Sequence, residues 1–488
     1  MRKNIEQTGP LESRSEQGRS CWERLRYVVP LLAALGMAGE ASAETVAGDA
    51  PVSGQATPLL GETEQFSIHG QWTYILQRKN NFSSPYYGQN SLTNKSEGGG
   101  EKSYTLSGTA FLGARPWKGG EVYYNPEMFQ GIPFTGALVG LGGFQNGELQ
   151  KGAYVPAIYY HARAFLKQTI GLGGDKDQLD SGPNQIGGAV DKNRIVLTYG
   201  KVTSLDFFDQ NTYSHDPRTQ FQNFSLWSMG AYGYAADSKG YTYGLVAEWF
   251  QDDFVVRAAR LAVTTEPGGN RLDWTLRKNY VDTLELTRTH SAWGQPGAIR
   301  GLIYRQYANM GRYNDAISKG AALNGGLSPD NPAYEAIPLI AVRGFARSWG
   351  YGINGEQAIT DDVGLFARWS WNPGKTETLT LDMSHSLSGG VSIKGKAWGR
   401  SNDVLGLGYA ISGISTAEAN YLGKGYYTVY MGDGNIQYRK ERVAEAYYSA
   451  QLFKGLTISG DFQHIANPAF NGARGPVKFF GLRIHAEI

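Results

Sequence analysis

The end of the chain alternates between apolar and polar side chains with a period of two. From Phe480 to Ile488 the even positions are apolar, whereas the odd positions include Arg483, His485 and Glu487. Successive side chains of a β-strand point to opposite faces, so the pattern predicts a strand with a different solvent on each side. Its length matches the roughly 9–11 residues that a tilted membrane strand needs. We therefore expect a strand that separates lipid from water.

The same alternation recurs along the chain and predicts sixteen to eighteen strands in all. Its first appearance is at 66–77, where Phe66, Trp72 and Tyr74 alternate with polar residues. Further strands are predicted at 104–115, 121–125, 157–169, 193–202, 230–237, 241–250, 253–262, 279–288, 298–308, 346–355, 363–371, 378–387, 391–400, 404–411, 442–452, 455–465 and 477–488. A barrel with this many strands leaves an aqueous channel at its centre.

The predicted connections between strands fall into two length classes. Short turns are predicted at 118–120, 238–240, 251–253, 372–374 and 453–455. Long loops are predicted at 78–102, 128–156, 170–192, 203–229, 309–345 and 412–441, with a short helix at 316–323 inside one of them. Short periplasmic turns and long extracellular loops are typical of transmembrane barrels.

Composition agrees with this reading but does not decide it. The chain has 65 glycines and 12% aromatic residues, and its mean hydropathy is −0.38. A large soluble β-sandwich, propeller or solenoid would show similar values. The absence of an internal repeat disfavours propellers and solenoids. We predict an all-β protein, a transmembrane antiparallel β-barrel of about 16 strands.

The N-terminus predicts secretion. Arginines precede an apolar run at 27–37, and Ala41-Ser42-Ala43 provides a cleavage site, so residues 1–43 read as a signal peptide. Residues 44–63 lack periodicity and read as a flexible periplasmic lead-in, which leaves 64–488 as the barrel domain. The single cysteine, Cys21, is removed with the signal, so the mature chain has no disulfide.

Charge and motifs exclude several functions. A formal net charge of +2 gives no field that would attract nucleic acid. No nucleophile elbow, phosphate-binding loop or zinc-protease motif is present, and the seven histidines have no ligand spacing. We therefore predict no metal, no cofactor and no enzymatic activity.

Charged residues on the inward phase of strands, and in one polar loop, are the candidates for solute contact. The segment 207–221 is dense in polar and aromatic side chains, and a loop of this kind can fold inward and narrow a pore. It would serve equally well as a surface loop, and a water-filled lumen tolerates any polar residue. The constriction candidates are Arg115, Glu127, Arg163, Asp216, Arg218 and Arg368.

Several motifs, in order along nearly the whole mature chain, resemble those of one family. They are Asn125-Pro126-Glu127, the segment 141–147, Asn184-Gln185, the segment 215–221, the segments 234–237 and 240–244, Asn467-Pro468, the segment 474–477 and the segment 481–487. This chain resembles the carbohydrate-selective porins of the OprB type. The family's terminal Phe is replaced by Ile488.

The resemblance implies a sixteen-stranded barrel in the bacterial outer membrane that admits monosaccharides such as glucose by facilitated diffusion. It also implies a constriction of arginine, carboxylate and aromatic side chains. The expected partners are permeating sugars, outer-membrane lipid and the barrel-assembly machinery, with either a monomer or a homotrimer as the assembled form. Two alternatives stay open at this point. One is a barrel for polyols, oligosaccharides or exopolysaccharide export, and the other is an outer-membrane carbohydrate-active enzyme with a pair of carboxylates.

Overall fold

The structure is a computed structural model. It describes residues 64–488 except positions 89, 329, 330, 332–334, 336, 433 and 435. The predicted signal peptide at 1–43 and the predicted lead-in at 44–63 lie outside the described residues. Within the described part of the chain, no helix is both long and apolar enough to cross a membrane.

Sixteen antiparallel strands form one closed barrel, as the alternating sequence predicts. Each strand pairs with its sequence neighbours, and the ring closes where the first strand pairs with the last. The strands are β1 Phe66–Asn80, β2 Gly100–Trp117, β3 Gly120–Ile132, β4 Tyr154–Leu179, β5 Gly188–Val202, β6 Thr242–Gln251, β7 Phe254–Ala262, β8 Tyr280–Ala292, β9 Gln295–Met310, β10 Gly344–Ala358, β11 Val363–Trp371, β12 His385–Gly395, β13 Arg400–Gly413, β14 Glu441–Phe453, β15 Leu456–Ala466 and β16 Val477–Glu487.

The seam between β1 and β16 satisfies its backbone groups on both strands. Thr73 lies opposite His485, and inside the barrel their side chains meet with 2.7 Å between Oγ1 and Nδ1. Ile488 extends the ladder beyond β16 because it exchanges two backbone hydrogen bonds of 3.0 Å with Gly70. A closed ladder is what a membrane requires, since lipid offers no partner to a free N–H or C=O group.

The connections at the two ends of the barrel differ in length, as predicted. At one end the turns are 118–119, 180–187, 252–253, 293–294, 359–362, 396–399 and 454–455. At the other end the loops are 81–99, 133–153, 203–241, 263–279, 311–343, 372–384, 414–440 and 467–476. We name 133–153 loop L2, 203–241 loop L3 and 180–187 turn T2. The long loops mark the extracellular end.

Three of the predicted strands need correction. The segment 230–237 alternates like a strand but lies in L3, inside the barrel, where Tyr232 and Tyr234 are buried. At Gly230 and Ala231 the backbone N–H groups donate to wall serines at 3.1 and 3.0 Å, and farther along they donate to carbonyls within L3. The predicted strands at 378–387 and 391–400 are a single strand, β12, which pairs without a gap from His385 to Lys394.

The predicted long loop at 170–192 is also wrong. Here β4 and β5 continue their ladder at the turn end, from Gly171 opposite Arg194 to Leu179 opposite Gly188. Glycine and charged residues interrupt the alternation at two bulges, although the backbone pairing persists. The predicted turns at 238–240 and 372–374 lie within loops at the extracellular end and do not join neighbouring strands.

Short helices occur only in the loops of the described chain. They are α1 Phe224–Trp227 in L3, α2 Tyr313–Leu323 and α3 Thr416–Gly423. Helix α2 confirms the helix predicted at 316–323 and begins one turn earlier.

The apolar core lies inside the barrel. Aromatic side chains of L3, among them Phe208, Phe224 and Tyr232, pack with wall residues such as Val246 and Tyr304. The lumen is therefore largely filled by L3, and any path for a solute runs beside this loop.

Candidate functional site

Arg368 of β11 fastens loop L3 to the inner wall. Its guanidinium is fully buried and donates from Nε to Asp209 Oδ1 at 2.9 Å. It also donates to the backbone carbonyls of Leu226 at 2.9 Å and Ser214 at 2.5 Å. One side chain thus holds three points of the loop, and the predicted inward fold of 207–221 is confirmed.

A second set of wall residues holds the same loop farther along. Arg483 of β16 donates to three backbone carbonyls within 217–220, at 2.7–2.9 Å. Glu445 of β14 accepts hydrogen bonds from the backbone N–H groups of Gln222 and Asn223, at 2.5 and 3.0 Å. Charged side chains that bind backbone groups fix the path of a loop whose own amides would otherwise be buried without partners.

Loop L2 enters the lumen beside L3 and is held in the same way. Glu441 of β14 accepts from the backbone N–H groups of Gly142 and Gly143, at 2.9 and 3.1 Å. Asn146 then begins a short 3₁₀ turn, Gly147–Lys151, by accepting a hydrogen bond from the N–H of Glu148. This turn directs Glu148 and Lys151 toward L3.

L2 and L3 leave a cavity of about 240 Å³ against the inner wall near β4. Pockets for drug-sized ligands usually measure roughly 300–1,000 Å³, so this cavity suits a smaller solute. Its charged and aromatic lining residues are Glu148, Lys151, Arg163, Asp206, His215, Asp216, Arg218, Trp227, Lys239 and Tyr241.

Glu127 of β3 organises the wall behind this cavity. Its side chain is fully buried, although the residue is charged. The groups that bond or pair with its carboxylate are Thr109 Oγ1 at 2.6 Å, Arg218 Nη2 at 3.2 Å, Tyr241 OH at 3.0 Å, Lys151 Nζ at 3.4 Å and the hydroxyl of Tyr160. Glu127 thus orients two cations and two phenols from three segments of the chain, which are L2, L3 and β4.

Arg218 bridges two acidic residues, Glu148 of L2 and Glu127 of β3. Its Nε lies 3.0 Å from Glu148 Oε1, while Lys151 Nζ lies 2.8 Å from the same oxygen. Burial opposes the charge of Glu148, but the Arg218 and Lys151 cations outweigh burial and lower the pKa of this carboxyl. Burial likewise opposes the charge of Arg218, but Glu148 and Glu127 raise its pKa. Glu148 and Arg218 therefore stay ionised at neutral pH.

Arg163 of β4 forms a second ion pair at the cavity. Its Nε and Nη2 each lie 2.6 Å from an oxygen of Asp206, in the two-pronged geometry that suits arginine and carboxylate. The guanidinium also lies 5.5 Å from the ring of Tyr241. Both members of the pair are partly exposed, at 12% for Arg163 and 29% for Asp206.

The family of this chain follows from its sequence match. The model of the OprB family, described as carbohydrate-selective porin, matches residues 113–487. The chain belongs to the OprB family. No curated protein matches it in sequence.

Solved structures of porins share the fold. The high-pH structure of Pseudomonas putida OprB superimposes with a TM-score of 0.62 at 15% identity, over 87% of this chain and 94% of that one. The outer-membrane channel DcaP of Acinetobacter baumannii has a TM-score of 0.49 at 10% identity, over 89% of this chain and all of the other. At such identities the likeness to P. putida OprB shows the barrel fold alone.

This OprB-family porin is a carbohydrate channel of the bacterial outer membrane, and its family and fold indicate a channel rather than an enzyme. The predicted family, barrel architecture and location are thereby confirmed. Among the described residues, no group of three or more His, Cys, Asp or Glu side chains is arranged to hold a metal ion.

The structure separates the six predicted constriction residues of this porin into three groups. Arg163, Asp216 and Arg218 line the cavity, and Glu127 lies behind them. Arg368 is a clamp arginine, meaning one that holds L3 on the inner wall, and it is buried under L3. The contact of any of them with a sugar stays a prediction.

Arg115 lies at the turn end of the barrel, away from the cavity. Its Nη2 donates to Glu121 Oε1 at 2.8 Å, and Nη1 donates to the carbonyl of Gly187 in T2 at 3.4 Å. T2 folds back over this end, where Ile186 is buried and donates from its N–H to the Tyr123 hydroxyl at 3.1 Å. Arg115 thus braces a turn.

Sequence reasoning missed several cavity residues, which are Glu148, Lys151, Asp206, Trp227 and Tyr241. Two signals were available. Opposite charges three residues apart follow Asn146, a residue type that often begins a helical turn. Asp206 directly precedes the polar and aromatic segment that supplied Asp216 and Arg218.

Proposed function

We propose that this porin conducts monosaccharides such as glucose into the periplasm by facilitated diffusion. The observation that carries the proposal is the cavity of about 240 Å³ between L2 and L3, with its arginine, carboxylate and aromatic lining. Sugar hydroxyls both donate and accept hydrogen bonds, and the C–H faces of a pyranose pack on aromatic rings. A lining of this composition offers a partner to each of these groups.

The two arginines of the cavity supply donors in the same manner. Arg163 and Arg218 each use Nε and Nη2 for carboxylates of the described chain. In both, Nη1 makes no hydrogen bond within the described chain, and we assign it to a sugar hydroxyl. Because the carboxylates already hold each guanidinium in place, a sugar does not have to order it. We assign hydroxyl acceptance to Asp206 and Asp216, which line the same cavity.

A channel has to release what it binds, so the expected affinity is weak. Dissociation constants near 1 mM correspond to about 4 kcal/mol of binding free energy, which a few charge-assisted hydrogen bonds supply after the costs of association. Glu127 contributes indirectly in this scheme, because it orients Arg218 and Tyr241 while remaining buried.

The proposal is tested by liposome swelling with the purified, refolded porin. Glucose, a disaccharide and an amino acid of similar size to glucose are compared at equal osmotic strength. We expect fast swelling with glucose and slow swelling with the other two. Arg163→Gln and Arg218→Gln should reduce the preference for glucose over the amino acid. Arg442→Gln, which removes an exposed arginine of β14, is the control. Equal rates for all solutes that fit would indicate a general porin and contradict the proposal.

Larger cargo is the main alternative, as oligosaccharide uptake or exopolysaccharide export. The size of the cavity favours a monosaccharide over either. Swelling with the disaccharide as fast as with glucose would reverse this preference. A carbohydrate-active enzyme would release reducing sugar from an oligosaccharide, and a reducing-end assay on the same preparation tests that outcome.

We also propose that residues 1–43 are cleaved, that 44–63 precede the barrel as a periplasmic segment, and that barrel-assembly machinery inserts the chain. N-terminal sequencing of the protein from outer membranes should then begin at Glu44. Native mass spectrometry separates the monomer from the homotrimer.

A further inference from the structure

Three charged residues form a row on the outer, lipid-facing wall of the barrel. In the ladder Arg260 of β7 lies opposite Asp282 of β8, and Asp282 lies opposite Arg305 of β9. Their neighbours in sequence on β7 and β8, such as Leu261 and Thr283, point inward and are buried. The row is partly exposed, at 46% for Arg260, 27% for Asp282 and 57% for Arg305.

The row carries an uncompensated positive charge. Arg260 places Nε and Nη2 at 2.7 and 2.9 Å from the two oxygens of Asp282, and Arg305 Nη2 lies 2.7 Å from the second oxygen. Two arginines therefore share one carboxylate. An arginine on the lipid face of a barrel is destabilising at mid-membrane and costs little near the interfaces. Such charges are retained where they meet a partner.

Aromatic residues place this row at the extracellular interface. Tyr280 and Tyr307 face each other one step closer to the long loops, and the guanidinium of Arg260 stacks 4.2 Å from the Tyr280 ring. Arg347 of β10 adds a further positive charge, 5.9 Å from the ring of Tyr307. Tyrosines at this level mark the headgroup region of a membrane. The positive charges therefore lie where lipid headgroups lie.

An apolar groove of about 760 Å³ runs from the row toward the middle of the membrane. Its floor is made of small residues, Ala247 and Ala258, which lie opposite each other on β6 and β7. Larger side chains, Leu284, Ile303 and Trp349, form its sides. The groove thus joins a cationic end at headgroup level to an apolar body at acyl-chain level.

We propose that this groove binds one anionic lipid of the outer leaflet, with a phosphate on Arg260 and Arg305 and an acyl chain over Ala247 and Ala258. Charge complementarity selects this occupant, because the uncompensated guanidinium charge requires an anion and the groove below it requires hydrocarbon. A phosphate oxygen accepts two N–H groups from a guanidinium in the same geometry as a carboxylate. The proposal does not depend on which sugar the lumen conducts.

Native mass spectrometry of the refolded porin in a neutral detergent tests the proposal with bis-phosphorylated lipid A as the probe. We expect one tightly bound lipid per chain. The Arg260→Gln/Arg305→Gln variant should weaken binding about tenfold or more, since it removes charge-assisted hydrogen bonds to the phosphate. Ala258→Phe should weaken binding by filling the groove while leaving the charges in place. Arg442→Gln, on the outer face of another strand, should bind as the parent does.

Lipid A from which both phosphates have been removed provides the opposing arm. It should bind the parent as weakly as the phosphorylated lipid binds the double variant. Equal binding of the two lipids, or binding that the double variant retains, would overturn the proposal. Binding of inorganic phosphate with equal affinity would also overturn the proposal. Dimers or trimers that separate in the double variant would overturn it too, because this face of the barrel would then be a subunit interface. Heat-modifiable mobility on gels shows that each variant is folded.

Discussion

Arginines inside the barrel act in two different ways, and burial separates them. Arg368 and Arg483 are almost entirely inaccessible, at 1% and 0% exposed, and donate to backbone carbonyls of L3. Arg163 and Arg218 retain 12% and 16% exposure of their side chains and pair with carboxylates at the cavity. The first pair fixes the loop that narrows the lumen, whereas the second pair faces the space that the loop leaves open.

This difference indicates that the constriction is a fixed part of the barrel. L3 is held by charged side chains from β11, β14 and β16, which bond backbone groups at points spread over 209–226. Displacing the loop would leave several buried charges without partners, and each costs several kcal/mol. The cavity arginines can therefore act on a solute without the loop moving.

The largest effect is expected at a clamp arginine. Arg368→Met removes the cation that lies 2.9 Å from the buried carboxylate of Asp209. Breaking such a pair leaves an uncompensated charge and should lower the free energy of unfolding by about 3–5 kcal/mol. Urea titration of the porin folded in lipid vesicles measures this loss. The selectivity between glucose and an amino acid should fall as L3 loosens.

A matched control is Arg442→Met, which removes an exposed arginine from β14 and should cost less than about 0.5 kcal/mol. The double variant Asp209→Asn/Arg368→Met should recover part of the loss, because it leaves no lone buried charge and Asn tolerates the left-handed backbone of this position. A loss for Arg368→Met no larger than that of the control would contradict the distinction between clamp and cavity arginines.

Asp382, in the loop 372–384, shows what a buried carboxylate does when no cation of the described residues pairs with it. Two threonine hydroxyls, from Thr378 and Thr428, donate to it, and the nearby Glu377 adds negative charge. Burial raises the pKa of Asp382 to about 6, above the 3.8 of a free aspartate. Asp382→Asn should therefore stabilise the porin at pH 8, by on the order of 3 kcal/mol.

The sign follows from proton binding. Because the pKa is higher in the folded state than in the unfolded state, the folded porin binds more protons between about pH 4 and 6, and stability falls as the pH rises through this window. The advantage of Asp382→Asn should be complete above pH 7 and absent below pH 4. Urea titrations at pH 4, 6 and 8 measure it. A constant difference across this range would show that Asp382 does not titrate as stated.

A variant at the cavity should change the free energy of glucose binding in the pore, by less than the clamp variant changes the free energy of unfolding. Arg218→Gln removes the charge that bridges Glu127 and Glu148, together with the Nη1 donor assigned to sugar. Glucose binding in the pore should weaken about tenfold, which corresponds to about 1.4 kcal/mol. Glucose block of single-channel current measures the affinity. Unchanged block with intact folding would remove Arg218 from the sugar path.

Arg115 should have the smallest effect on transport. Arg115→Gln loses the ion pair with Glu121 and the contact with T2, so stability should fall by about 1 kcal/mol. The cavity is built from other residues, and the ratio of glucose to amino acid permeation should match the parent. Liposome swelling measures the permeation ratio, and limited proteolysis at 180–187 measures how far T2 loosens. A changed ratio would place Arg115 on the solute path.

The alternation of apolar and polar side chains along the chain is enough to predict a barrel. A strand with lipid on one side and a polar interior on the other needs side chains that alternate between apolar and polar. β1 shows this pattern, because Phe66 and Ile68 are exposed on the outer face whereas Ser67 is buried inside the barrel. This alternation located most strands, and the lengths of the connections distinguished the two ends of the barrel. The polar and aromatic side chains of 207–221 suited a surface loop as well as an inward one, and the contacts of Arg368 and Arg483 decide that the loop enters the lumen.

The contacts between charged residues depend on how the folded chain brings distant segments together. Arg368 and Asp209 are 159 positions apart, and Glu445 and Gln222 are 223 apart, so no local pattern joins them. The segment 230–237 alternates like a strand, yet it lies in L3, where Tyr232 packs on Tyr304 of the wall and Tyr234 packs on Phe224 of the same loop. Alternation along the chain therefore does not distinguish a barrel strand from an inward loop. Contacts across the barrel decide that, and they decide which arginines remain open to a solute.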